Sequence, residues 1–166
     1  MIPLPQSFYA RDTVTVARAL LGKLLVHGHR QGRIVEVEAY LGALDQAAHA
    51  SRGVTPRTRV IFGPPGHAYV YLNYGIHECL NVVTESDGTP GCVLIRGLTP
   101  VLGLSGLLNG PGKLTKAMDI DRRFYGHPLW QPPLAICDAP PPSEPIHITP
   151  RIGISRCVDW PLRFHL

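Results

Sequence analysis

Glycine and proline together fill 34 of the 166 positions, 17 of each, and nothing else in the sequence restricts its folding as strongly. Proline removes a backbone donor and glycine weakens a helix interior, so long uninterrupted helices are excluded and short strands joined by ordered turns are favoured. The share stays below the roughly 25–30% that marks unperiodic disordered chains. With 45% apolar residues, a chain of this length buries one core and has no room for a second. The expectation is a single domain over residues 1–166, rich in strands and loops.

Sixteen Lys and Arg oppose twelve Asp and Glu, and thirteen of those cations are arginine. Arginine's planar fork suits phosphate, so the composition permits a polyanionic partner without demonstrating one. Cys79, Cys92, Cys137 and Cys157 form no CxxC pair and no zinc-finger spacing. Reduced thiols in a cytoplasmic protein are the simplest account. No run approaches the roughly 20 apolar residues of a membrane span. The eight histidines contain no HExxH motif, which leaves a metal site with little support.

Asp12 and Gly22 bracket an apolar-periodic stretch, Thr13 to Leu21, as an N-cap and a C-terminal glycine bracket a helix. Lys23–Val26 and Arg33–Leu41 read as strands joined by a turn around residues 28–32. Alternation along the second puts Val35, Val37, Ala39 and Leu41 on one face, and Ile34, Glu36, Glu38 and Tyr40 on the other. Residues 45–50 allow one helical turn, and residues 52–59 form a basic loop. Ala68–Leu72 and Ile76–Thr84 read as a hairpin with Tyr74 at its tip. Cys92–Leu98 is a strand with Val93 and Ile95 on one face and Leu94 and Arg96 on the other. An arginine among apolar neighbours needs an anion or carbonyl partner. Gly110–Gly112 lead into a short helix over Lys113–Met118, whose free N–H groups suit an anion as well as a plain turn. Residues 128–150 read as a proline-rich surface loop, before closing strands near Arg151–Ile154 and Leu162–Phe164.

Glu38 with Tyr40, then His49, the tyrosines of the hairpin, and Arg96 form one constellation. Each alone has an ordinary structural explanation. Together, the stretches GRIVEVEAYLG (32–42), DQAAH (45–49), Tyr69-Val-Tyr71, Tyr74-Gly75, Cys79-Leu-Asn81, CVLIR (92–96), Gly110-Pro111 with Lys113, and PLRF (161–164) resemble the alkyladenine (3-methyladenine) DNA glycosylase family. The resemblance runs in order along nearly the whole chain.

It implies a mixed α/β (α+β) fold: a curved, largely antiparallel sheet with flanking helices and a protruding β-hairpin. It also implies a monofunctional glycosylase, with double-stranded DNA containing damaged purines as partner, no cofactor and no metal, acting as a monomer. Glu38 matches the family's general base, and Arg96 the arginine that helps hold the attacking water. A cation there is expected to keep the Glu38 carboxyl low enough to be a base at neutral pH. Tyr40 and Tyr71 match the residues that sandwich the extruded base, His49 completes the pocket, and Asn81 matches the residue that excludes guanine's exocyclic amine. Tyr74 matches the side chain that fills the gap left in the duplex. Arg57, Arg59 and Lys113 are candidate phosphate contacts.

His77 and Ile61 depart from the family pattern, and the segment 98–109 is shorter than in its longer members. A DNA-binding module without chemistry would use the same tyrosines and arginines but has no need of Glu38 beside Arg96. A metal hydrolase would draw on Glu36, Glu38 and His49.

Overall fold

A computed structural model describes all residues, 1–166. Two short helices open the chain, α1 (Gln6–Tyr9) and α2 (Thr13–Leu20). The α2 start is as the sequence implies: the Asp12 carboxylate accepts from the Thr15 N–H at 3.0 Å. Gly22 follows at φ +86°, a conformation that a side chain strains.

Eight strands come next: β1 (Leu24–His27), β2 (Arg30–Tyr40), β3 (Ala68–Asn73), β4 (His77–Val83), β5 (Cys92–Leu102), β6 (Leu134–Cys137), β7 (His147–Thr149) and β8 (Arg163–His165). They form one curled antiparallel sheet in the order β3-β4-β5-β2-β1-β6. β8 pairs with the second half of β2 and brings β7 with it. A third helix, α3 (Pro111–Met118), lies against β4 and β5, and α2 packs on β2 and β5. Together these give the expected α+β class. No helix is long and apolar enough to cross a membrane.

β2 is the axis of the sheet, because three other strands pair with it. Its alternation does not run unbroken, as the sequence reading had it. Val35 is an extra residue on β2 and Arg96 an extra residue on β5, since Ile34 opposes Leu98, Glu36 opposes Gly97 and Val37 opposes Ile95. The bulge at Val35 switches the faces, so Ile34 joins Val37 and Ala39 in the core instead of sharing the side of Glu36 and Glu38. On β5 the expected assignment stands, with Val93 and Ile95 in the core.

Two further expectations are corrected. The proline-rich stretch 128–150 contains β6, a fully buried strand paired with β1, because prolines at its flanks leave the donors of Leu134–Cys137 free for the ladder. Residues 151–154 are not a strand: the closing pair is β7 with β8, and 151–160 runs as irregular loop.

Ile136 at the centre of β6 is fully enclosed in the core. Ile136→Ala is expected to cost about 2–5 kcal/mol in urea unfolding. A surface loop would register within about 0.5 kcal/mol.

Candidate active site

Alternation beyond the Val35 bulge sets Glu36 and Glu38 on one face of β2, and the extra residue in β5 directs Arg96 between them. Arg96 Nε donates to Glu36 Oε2 at 3.2 Å and lies 3.7 Å from Glu38 Oε2. Glu38 is completely buried, at 0% exposure. Its oxygens are both engaged: the Tyr40 hydroxyl donates to Oε1 at 2.8 Å and the Ile152 N–H to Oε2 at 2.7 Å. Burial pushes the Glu38 carboxyl above its ordinary value. Arg96 and the two hydrogen bonds work against this, and the neighbouring Glu36 charge adds to it. Desolvation is the largest of these effects and outweighs the arginine.

In front of this carboxylate opens a cavity of about 880 Å³, walled by Tyr40, Tyr71, His49, Asn81, Leu94 and Arg96 and rimmed by Arg52, Tyr74 and the 152–156 segment. Glu38 does not reach its surface; Tyr40, Arg96 and Ile152 stand between. Each of the two main tyrosines has a cation against its ring. The Arg151 guanidinium carbon lies 4.7 Å from the Tyr40 centroid, and that of Arg57 lies 4.8 Å from Tyr71. Arg151 is itself buried and bidentate on Asp45, at 2.6 and 2.9 Å, and Asp45 also accepts from the N–H groups of Leu41 and Ala47.

The Tyr69 hydroxyl accepts from Arg57 Nε at 3.2 Å, so its own proton goes to His49 Nδ1 at 2.8 Å. A neutral His49 with its proton on Nε2 is the tautomer that matches this donation, and Arg57 Nη2 lies 3.4 and 3.5 Å from the two ring nitrogens. Burial, and then the charges of Arg57 and Arg52, lower the imidazole to about 4. Asn81, nearly buried, donates to the Tyr69 carbonyl at 3.2 Å and faces the Cys92 thiol, which fixes its amide. No group of three or more His, Cys, Asp or Glu side chains converges in a way that could hold a metal ion. Glu36 and Glu38 adjoin each other, whereas His49 is tied to Tyr69.

The family model described as methylpurine-DNA glycosylase matches residues 7–166. The chain belongs to this family. A relative from Anaeromyxobacter dehalogenans (strain 2CP-C) is 51% identical over 98% of this chain and 83% of its own length. One from Methanoculleus marisnigri is 50% identical over 98% and 94%, and one from Legionella pneumophila (strain Corby) 47% identical over 100% and 95%. Each carries a name that assigns it provisionally as a 3-methyladenine DNA glycosylase.

Against this family background, the fold gathers Tyr40, His49, Tyr71, Asn81 and Arg96 around one cavity, with Glu38 directly behind its wall. Tyr74 stands at its edge at 81% exposure, on a turn where Tyr74 and Gly75 both have positive φ. That conformation is uncommon for a bulky residue. Arg57 is held against Tyr69 and Tyr71, Arg59 lines an adjoining depression with Arg122, and Lys113 donates to Asn109 at 2.9 Å. None of these three lines the cavity itself, and neither does Ile61, which is buried in a small cluster beneath Tyr69. His77 packs on Gly112 of α3. Sequence reasoning missed the Ile152 N–H, the Asp45–Arg151 pair and the attachment of Arg96 to Glu36. Asp45 stood in a matched stretch, but Arg151 lies 106 residues away and no local pattern joins them.

Removing one member of a buried ion pair strands the other. Arg151→Met is expected to lose about 3–5 kcal/mol in urea unfolding. The Asp45→Asn/Arg151→Met double variant should lose less than the two single losses added together. His49 supplies a second expectation, since the folded chain refuses a proton that the unfolded chain accepts. Stability present above the unfolded value of about 6.5 is therefore lost as pH falls toward about 4. The urea midpoint should drop over that interval, and less steeply in His49→Gln.

Proposed function

We propose that this chain is a DNA N-glycosylase that removes damaged purines, extruded from duplex DNA into the tyrosine-walled cavity, with Glu38 as general base. The single observation that carries the reading is a wholly buried carboxylate, paired with Arg96, immediately behind that cavity. Family membership and the printed names of the relatives support the reaction class.

An N-glycosidic bond breaks through an electron-poor sugar. The bonding pair leaves with the base, water adds its oxygen to C1′, and the water's proton goes to a carboxylate. Burial that raises the Glu38 carboxyl makes it the stronger base, because proton abstraction is most effective with a group near the operating pH. The same negative charge opposes the positive charge developing on the sugar. Tyr40, Arg96 and Ile152, which contact the Glu38 carboxylate, also line the cavity from which the water comes.

Tyr40 and Tyr71 stack on the base, a contact worth about 1–3 kcal/mol. Neutral His49 offers Nε2–H to an acceptor on the base edge, and Asn81, with its amide fixed, excludes guanine's amine. Tyr74, with Ile76 also exposed on the same turn, fills the space left in the duplex. Arg59 and Lys113 contact the phosphate backbone, and Arg57 serves mainly to hold Tyr69 and Tyr71.

Single-turnover excision from duplexes carrying 3-methyladenine, 7-methylguanine, hypoxanthine or ethenoadenine tests the reading. Release of at least one base is expected. Glu38→Gln should slow release by roughly 10²–10⁴-fold while lesion-duplex binding is kept. No release of any of the four sinks the enzyme and favours a binding module. Unchanged release by Glu38→Gln removes Glu38 from the mechanism.

A further inference from the structure

Glu36 takes no part in the bond-breaking proposed for this site, yet its Oε2 is where two arginines meet. Arg163 Nε donates to it at 2.6 Å and Arg96 Nε at 3.2 Å. Arg163 comes from β8, opposite Glu38 in the ladder, and its Nη1 is fixed on Thr149 at 3.0 Å. The contact between Glu36 and β5 depends on a bare glycine: a Cβ at Gly97 would lie 3.1 Å from Glu36 Cβ and 3.4 Å from its Oε1.

Arg96 has one Nε–H, and at 3.7 Å Glu38 Oε2 is too far to accept it. The hydrogen bond to Glu36 is the only one the Arg96 side chain makes within the protein, and Arg96 lines the cavity. Its terminal amino groups therefore remain available to a ligand there.

We infer that Glu36 is a positioning residue: it anchors Arg96 through Nε, keeps that guanidinium from closing onto Glu38, and leaves its terminal N–H groups free for the cavity. The kinetic consequence rests on the glycosylase reading; the geometric one does not.

The groups around Glu38 are Glu36 and Tyr40 on β2, Arg96 on β5, Arg163 opposite it on β8, with His165 opposite Glu36, and Arg151 with the Ile152 N–H from the closing loop. His147 of β7 stacks on His165 from outside. Two carboxylates thus balance Arg96 and Arg163, and Asp45 balances Arg151. With Glu36 neutral, Glu38 is the only carboxylate left for Arg96. The arginine turns toward it, and a repelling charge is gone. Both changes favour ionised Glu38, making it a weaker base beside a misdirected cation.

The test is to titrate the Glu38 carboxyl by ¹³C NMR in the intact chain, alongside the pH profile of single-turnover excision. Wild type, Glu36→Gln, Glu36→Asp and Gly97→Ala are compared. Glu36→Gln should lower the Glu38 midpoint by about one pH unit, carry the acid limb of the rate profile down with it, and slow excision roughly tenfold to a hundredfold. Glu36→Asp keeps the charge but not the reach, so it should slow excision and lower the midpoint by less than Glu36→Gln does. Gly97→Ala pushes Glu36 off β5 with no change of charge and should behave like Glu36→Asp; together these decide the matter if Glu36→Gln does not fold. An unmoved Glu38 midpoint in folded Glu36→Gln, or a wild-type rate in all three variants, overturns the inference. A wild-type chain that excises nothing defeats the glycosylase reading instead, and the NMR midpoints still decide the role of Glu36.

Discussion

Withdrawing the Glu38 carboxylate wholly from water is the demand that the surrounding structure has to meet. A buried charge costs several kcal/mol unless donors and opposite charges replace its hydration. Here the replacement comes from separate parts of the chain: Tyr40 two residues along the same strand, Arg96 across the ladder, and the Ile152 N–H from a loop more than a hundred positions away. Alternation along β2 places Tyr40 beside Glu38, and the extra residue in β5 brings Arg96 into reach. The return of the chain through β7 and β8 brings the third. Compensation is incomplete, and the carboxyl stays above its ordinary value.

The Asp45–Arg151 pair solves a second problem with the same chemistry. It fastens the loop after β2 to the loop after β7, and the fastened guanidinium then lies on the ring of Tyr40. Arg57 does the equivalent for Tyr71 from the opposite wall, through the Tyr69 hydroxyl and the ring face. Ion pairs of this kind are weak evidence for stability. Their evident effect is to hold in place two of the rings that line the cavity. Rings held in this way lose little ordering entropy when a flat ligand enters.

Much of the local structure was legible because its causes are local. Asp12 caps α2 through a side chain three residues from its partner, and Tyr74-Gly75 turn because of their own backbone conformations. Val93 and Ile95 reach the core on simple alternation. Alternation failed at Val35, since a bulge is a property of two paired strands and only one is visible in a local pattern. β6 was hidden for a related reason: the prolines around Leu134–Cys137 read as loop, and only pairing with β1 makes the four residues between them a buried strand.

The sequence by itself determined the chemistry available: Glu38, Arg96, the tyrosines, His49 and Asn81, in an order that resembles one enzyme family across nearly the whole chain. It also determined that helices would be short, because glycine and proline act on the backbone wherever they occur. Tertiary structure alone decided how those groups are tuned. How closely Arg96 approaches Glu36 and Glu38, how far burial raises the Glu38 carboxyl against that cation, and how Arg57 lies on the ring of Tyr71 all depend on solvent exclusion and on distances between residues far apart in the chain. Electrostatic energies change several-fold over a few ångströms and with the local dielectric, and neither is encoded in sequence spacing.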